Sequence, residues 1–175
     1  TLITIECIDE IADMQGIKAE VAAITASTMR GEIEFAESLR RRVALLAGLP
    51  LAALERVYRE RLALSPGAEN MIAGFHAVGA TVGLVSGGFT FFTDRLKERL
   101  GLDFAIANTL GVNGGTLTGR VDGRIVDAEV KAHAIRERKA AFAGAGGLAV
   151  ALGDGANDLP MFAASDVAIA YRAKP

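Results

Sequence analysis

The chain has 175 residues, 51% of them hydrophobic, with 19 Lys and Arg against 21 Asp and Glu. A formal charge of −2 leaves no basic footprint for nucleic acid, and no apolar run of about 18 or more residues marks a membrane span. The single Cys7 excludes an internal disulfide framework and fits a reducing compartment, so the expectation is a cytoplasmic globular protein: one domain, or a core with a small insertion.

Both ends read as cuts: Thr1 runs straight into apolar residues, and Lys174-Pro175 follows a strand-like run from Val167 to Tyr171. Up to about residue 64 the pattern is helical. Ile5, Ile8, Ile11 and Ala12 recur at helical spacing before Gly16, and Lys18 to Met29 carries Val21, Ile24 and Thr28 before Gly31. A third helix, Glu34 to Leu46, has the stripe Phe35, Leu39, Val43 and Leu46, with Gly48 and Pro50 as stops. Leu51 to about Leu62 is the fourth. Arg42, seven positions after Phe35, falls within about 20° of it on the helical wheel, whereas Arg40 and Arg41 point away from the stripe. An inward arginine keeps its charge and needs an anion or a route to water, so an anion contact and a snorkelling stem both stand. Glu6, amid Ile3, Ile5 and Ile8, either faces solvent or meets a cation such as an amine.

From Ser65-Pro66 the pattern changes. A helix through Met71, Ile72, Phe75 and Val78 ends at Gly79, and a short strand, Ala80 to Val85, leads into Ser86-Gly87-Gly88. A helix with Phe92, Leu96 and Leu100 follows, closed by Gly101. Strand, Ser-Gly-Gly, helix offers free backbone N–H groups, a hydroxyl and a positive helix end to a phosphate. The competing reading is a plain turn capped by Ser86 or Thr90. Leu110 to Val112, Asn113-Gly114-Gly115 and Thr116 to Val121 form a hairpin signal, and Asp122-Gly123 suggests a second turn. Lys131 opens a helix with Ala132, Ile135, Lys139 and Phe142. A lysine there runs against the macrodipole, which leaves a site role or a surface lysine. His76 and His133 lack ligand spacing, and Gly144 to Gly147 follow no strand and read as a loop.

The densest chemistry is in LAVALGDGANDLPM, Leu148 to Met161. Leu148 to Leu152 has the length of a fully buried strand, Gly153 and Gly155 permit a sharp turn, and Pro160 suits the first turn of a helix. Asp154, Asn157 and Asp158 therefore cluster at the C-terminal end of a strand, where ligands sit in open α/β sheets and where hard oxygen donors suit Mg²⁺. Asp158 as a simple N-cap is the alternative. Alternating helix and strand predict an α/β fold, a Rossmann-like three-layer parallel sheet with a helical segment over one end and a β-hairpin. A phosphate cradle, a lysine and a carboxylate cluster converging on one sheet edge make a phosphoryl-transfer site that lacks only a nucleophile.

Ser86-Gly87-Gly88-Phe89, the later Lys131 and Gly153-Asp154-Gly155-Ala156-Asn157-Asp158 resemble motifs II, III and IV of the haloacid dehalogenase-like phosphatases, in order and spacing. The opening TLITIECIDEIA and the segment SLRRRV resemble the phosphoserine-hydrolysing branch of that family. The resemblance implies a core of residues 1–7 and 65–175 with a helical cap of residues 8–64. It implies O-phosphoserine as substrate, Mg²⁺ as cofactor, the closing step of serine biosynthesis as the role, and a homodimer as one assembly open to it. Ser86 and the Gly87 amide would hold phosphoryl oxygens, Lys131 would neutralise them, Asp154 would ligate Mg²⁺, Asn157 would contact substrate and Asp158 would support the site from behind. Glu6 would meet the substrate ammonium and Arg42 its carboxylate, with Met29 and Phe35 as nearby apolar cap positions.

The departure is at the start. Family members begin with Asp-x-Asp-Ser-Thr, whose first aspartate is the nucleophile and whose second is the general acid. Thr1 matches the closing threonine, so the expectation is a fragment that is inactive alone. A phosphotransferase acting on a related amino acid such as homoserine, or a non-catalytic Mg²⁺ or phospho-ligand module, are the competing readings. A nucleotide-binding Rossmann domain is disfavoured for want of a third spaced glycine and a ribose-binding carboxylate.

Overall fold

A computed structural model describes residues 1–142 and 146–173. Gly144 and Ala145 of the expected glycine loop, and Lys174-Pro175, lie outside the described residues. The chain divides into two compact units, one of residues 2–125 and one of Thr1 with the segment from Val126 onward.

In the first unit the glycine punctuation sets the helices. Helix α1 (Cys7–Gln15) buries Ile8, Ile11 and Ala12 and ends at Gly16, whose φ of 72° is left-handed. Ile17 N–H donates to the Ala12 carbonyl and Gly16 N–H to that of Asp13, the pair of bonds found in a Schellman motif. Helices α2 (Lys18–Met29), α3 (Phe35–Ala44) and α4 (Leu51–Glu60) follow. Leu39, Val43, Leu46, Leu54 and Val57 are buried in one cluster with Leu110 and Leu117 of the hairpin and Phe89 and Phe92. The segments entering and leaving the four helices pair antiparallel, with Thr4 N–H donating to the Ala63 carbonyl and Ser65 N–H to that of Leu2.

Helix α5 (Ala68–Ala77) starts after Gly67, later than the Ser65-Pro66 signal, because Gly67 at φ 83° makes the turn into the helix. Strand β1 (Gly83–Phe89) pairs parallel with β2 (Phe104–Asn113), with helix α6 (Thr90–Leu100) between them in sequence, and β2 pairs antiparallel with β3 (Thr116–Asp122). Gly114 and Gly115, both at positive φ, form the two-residue turn announced by Asn-Gly-Gly. Gly119, also left-handed at φ 76°, has a second reason to be glycine: a Cβ there would lie 2.8 Å from the Ala47 Cβ, where β3 passes the end of α3.

The second unit carries helix α7 (Ala128–Ala141), strand β4 (Val150–Gly153), a 3₁₀ turn (Ala156–Asp158), helix α8 (Leu159–Ala164) and strand β5 (Val167–Ala170). Helix α7 starts before Lys131 because the Asp127 carboxylate caps it, accepting from Val130 N–H at 2.9 Å. Strands β4 and β5 pair in parallel, Val150 with Val167 through Gly153 with Ala170. The fully buried strand expected at Leu148 to Leu152 is not found: Leu148 is 74% and Val150 37% exposed, and only Ala151 of those five is buried. A strand with one ladder partner in a two-stranded ribbon lacks the cover that buries a central strand. The class is nonetheless the expected α/β one, with parallel pairs β1–β2 and β4–β5, one hairpin, and helices. Among the described residues no helix is long and apolar enough to cross a membrane.

Candidate active site

Ser86-Gly87-Gly88 is not a turn after a strand but a bulge within β1. Between the pairs Val85–Ile106 and Phe89–Asn108, β1 advances four residues while β2 advances two. The displaced backbone is tied down locally. Gly88 N–H donates to Ser86 Oγ at 3.0 Å, and the fully buried Asn108 side chain donates from Nδ2 to the Gly87 carbonyl at 2.8 Å. A serine hydroxyl has one donor and two acceptor positions, so accepting from Gly88 leaves the Ser86 O–H to donate. The capping alternative for Ser86 and Thr90 is not realised: the N-cap residue of α6 is Phe89, and no side chain caps that helix.

Arg42 is half-buried on α3, its Nε donating to the Ser38 carbonyl at 3.4 Å. Burial lowers its pKa from the usual arginine value, and the carboxylates of Asp9 and Glu6 act against that fall. Asp9 is pushed up by burial first and then by Glu6, with Arg42 pulling it back. Arg41 pairs with Glu37, Arg61 with Glu10 and Asp13, and Arg95 with Glu55. Arg42 makes no such ion pair among the described residues. A half-buried guanidinium with acidic neighbours but no salt bridge is suited to an external anion. Glu6 is exposed at the N-cap position of α1, its own carbonyl accepting from Asp9 and Glu10 N–H. Met29 is 85% exposed at the end of α2, and Phe35 is half-buried against the core at the start of α3.

In the second unit Lys131 is not a surface lysine. It is 7% exposed, and its Nζ donates to Asp158 Oδ1 at 2.8 Å, with Asp158 itself 4% exposed. The other oxygen, Oδ2, accepts from Asp154 N–H at 3.0 Å and Gly155 N–H at 3.3 Å. Asp158 thus folds back onto its own loop and does not cap α8 with its side chain. Gly153 permits this: a Cβ there would sit 2.4 Å from Asp158 Oδ2. Asp154, held by its backbone, keeps a half-exposed carboxylate, with Thr1 N 3.1 Å from Oδ2, while Asn157 is exposed.

Among the described residues no group of three or more His, Cys, Asp or Glu side chains is placed to hold a metal ion. Asp154 fits a single hard-oxygen ligand position, whereas Asp158 is occupied by Lys131 and two amides. The structure therefore groups Ser86 with Gly87, Arg42 with Glu6, and Lys131 with Asp158 and Asp154. Two open grooves among the described residues, one by α7 and Gly146-Gly147 and one between α5 and α6, contain none of the predicted site residues.

Sequence reasoning missed Asn108 and Asp9. An amide side chain within the otherwise apolar stretch Phe104 to Leu110 was the available signal for the first. Asp9, three residues after Glu6, lies one turn further along α1, a helical relation readable from spacing.

Comparison with known proteins bears on the whole chain. The family model for haloacid dehalogenase-like hydrolases matches residues 1–163. A phosphoserine phosphatase from Polaromonas sp. is 52% identical over 180 residues, spanning all of this chain and 76% of that protein. One from Archaeoglobus fulgidus is 47% identical over 99% of this chain, which covers 50% of that protein. Among solved structures, a phospho-aspartyl intermediate analogue of phosphoserine phosphatase superposes with a TM-score of 0.87 at 42% identity, covering all of this chain and 83% of its own.

Proposed function

The chain belongs to the haloacid dehalogenase-like hydrolases, and on that premise we propose that it forms most of the substrate site of an Mg²⁺-dependent phosphatase that converts O-phosphoserine to serine and phosphate. The observation that carries the reading is the 52% identity, along the whole chain, to a phosphoserine phosphatase. Phosphoryl transfer depends mainly on positioning and charge neutralisation, and each group here has a role of that kind. Ser86 O–H and the Gly87 amide donate to phosphoryl oxygens, the Lys131 ammonium neutralises them, and Asn157 contacts the same group. Arg42 takes the substrate carboxylate and Glu6 its ammonium. Met29 and Phe35 supply apolar surface in a cap of residues 8–64 on a core of residues 1–7 and 65–175.

Asp154 would hold Mg²⁺, which when bound polarises the phosphoryl oxygens, while Asp158 fixes the loop that carries Asp154. The nucleophile belongs to an Asp-x-Asp-Ser-Thr run whose closing threonine is Thr1. The first aspartate displaces the serine oxygen from phosphorus, the second returns a proton to it, and water hydrolyses the resulting aspartyl-phosphate to phosphate. Release of serine fits a role as the closing step of serine biosynthesis.

The carboxylate clamp gives a substrate test on the natural full-length protein. Arg42→Ala is expected to raise KM for O-phosphoserine about tenfold or more, the value of a charge-assisted hydrogen bond. KM for phosphoethanolamine, which keeps the amine and phosphate but lacks the carboxylate, should change less than about twofold. Equal effects on both esters would remove Arg42 from that role.

A further inference from the structure

The geometry points to Asn108 as a positioning residue that sets the Ser86 hydroxyl through the Gly87–Gly88 peptide. This rests on the reading that Ser86 holds a phosphoryl oxygen. The bulge leaves the Gly87 carbonyl out of the regular β1–β2 ladder, and Asn108 Nδ2, on the fully buried side chain paired opposite Phe89, replaces that partner at 2.8 Å. The Gly87–Gly88 peptide is trans, so its carbonyl and its N–H point in opposite directions. Drawing the carbonyl toward Asn108 therefore aims the Gly88 N–H the other way, where it donates to Ser86 Oγ at 3.0 Å. That bond fixes the oxygen by one of its acceptor positions and leaves the hydroxyl proton to donate. A Cβ at Gly88 would stand 3.2 Å from Ser86 Oγ, so the small residue is part of the same fit. The chain of contacts is Asn108 to peptide to hydroxyl, with no step in which Asn108 needs to touch substrate.

A double-mutant cycle on the natural full-length protein reads this coupling, because residues acting through one another are non-additive. Asn108→Ala is expected to lower kcat/KM for O-phosphoserine about tenfold, less than the hundredfold or more lost when a direct oxyanion donor is removed. Placed on Ser86→Ala, the same change should lower kcat/KM less than about twofold further, since the hydroxyl it positions is already gone. Calorimetric titration with inorganic phosphate should show the same non-additivity without turnover. Asn108→Asp fills the same volume without the amide donor and is read in the same cycle if the alanine variant does not fold. Losses that multiply, or an Asn108 variant with unchanged kcat/KM and phosphate affinity, overturn the coupling. A Ser86→Ala protein as active as the parent overturns instead the reading of Ser86 on which it rests.

Discussion

Replacing Lys131 by methionine is expected to destabilise the natural full-length protein by about 3–5 kcal/mol, because it strands a buried carboxylate without its cation. Lys131 and Asp158 are 7% and 4% exposed and 2.8 Å apart, so solvent offers little compensation. The damage extends to the loop, since Asp158 also holds the amides of Asp154 and Gly155. Pairing Lys131→Met with Asp158→Asn removes both charges and keeps a side-chain carbonyl to accept from those amides, so most of the stability should return. Activity should not return, because the ammonium assigned to the phosphoryl oxygens is still absent. Urea unfolding midpoints and phosphate release for the two variants separate these effects. A single-variant loss under about 1 kcal/mol would place the pair in the class of exposed, weakly contributing salt bridges.

Asp154→Asn should behave in the opposite way, with a large effect on rate and a small one on the fold. Its backbone N–H, not its carboxylate, is bonded to Asp158, and the carboxylate is half-exposed. Stability should therefore stay within about 0.5 kcal/mol of the parent. Loss of an anionic metal ligand should lower kcat/KM on the order of 10³-fold, several kcal/mol of transition-state charge stabilisation. The Mg²⁺ dependence of the rate should move to higher concentration, and calorimetric Mg²⁺ binding should weaken in parallel. An unchanged metal titration would remove Asp154 as a ligand whatever happened to the rate.

Local rules carried much of the fold. Gly16 and Gly101 end α1 and α6 in the left-handed region, and Asn113-Gly114-Gly115 fixes a two-residue hairpin turn, because each signal depends only on residues within a few positions. What was not legible depends on distant partners. Ser86-Gly87-Gly88 reads as a turn until Asn108, 21 positions later, is seen bonded to Gly87 inside a bulge. Lys131 reads as either a site residue or a surface lysine until Asp158, 27 positions later, is seen buried against it. Gly153 reads as a residue that permits a sharp turn, whereas the close Asp158 carboxylate is what excludes a side chain there. The apolar run Leu148 to Leu152 promised a buried strand, but hydrophobicity alone does not report how many ladder partners a strand has.

The most direct measurement is phosphate release from O-phosphoserine in the presence of Mg²⁺, made side by side on the natural full-length protein and on a polypeptide of residues 1–175. The full-length protein is expected to turn over the substrate and to stop when the metal is chelated. The polypeptide, which has no Asp-x-Asp-Ser-Thr run, is expected to release none. No release by the full-length protein, or an equal rate from residues 1–175, would contradict the assignment.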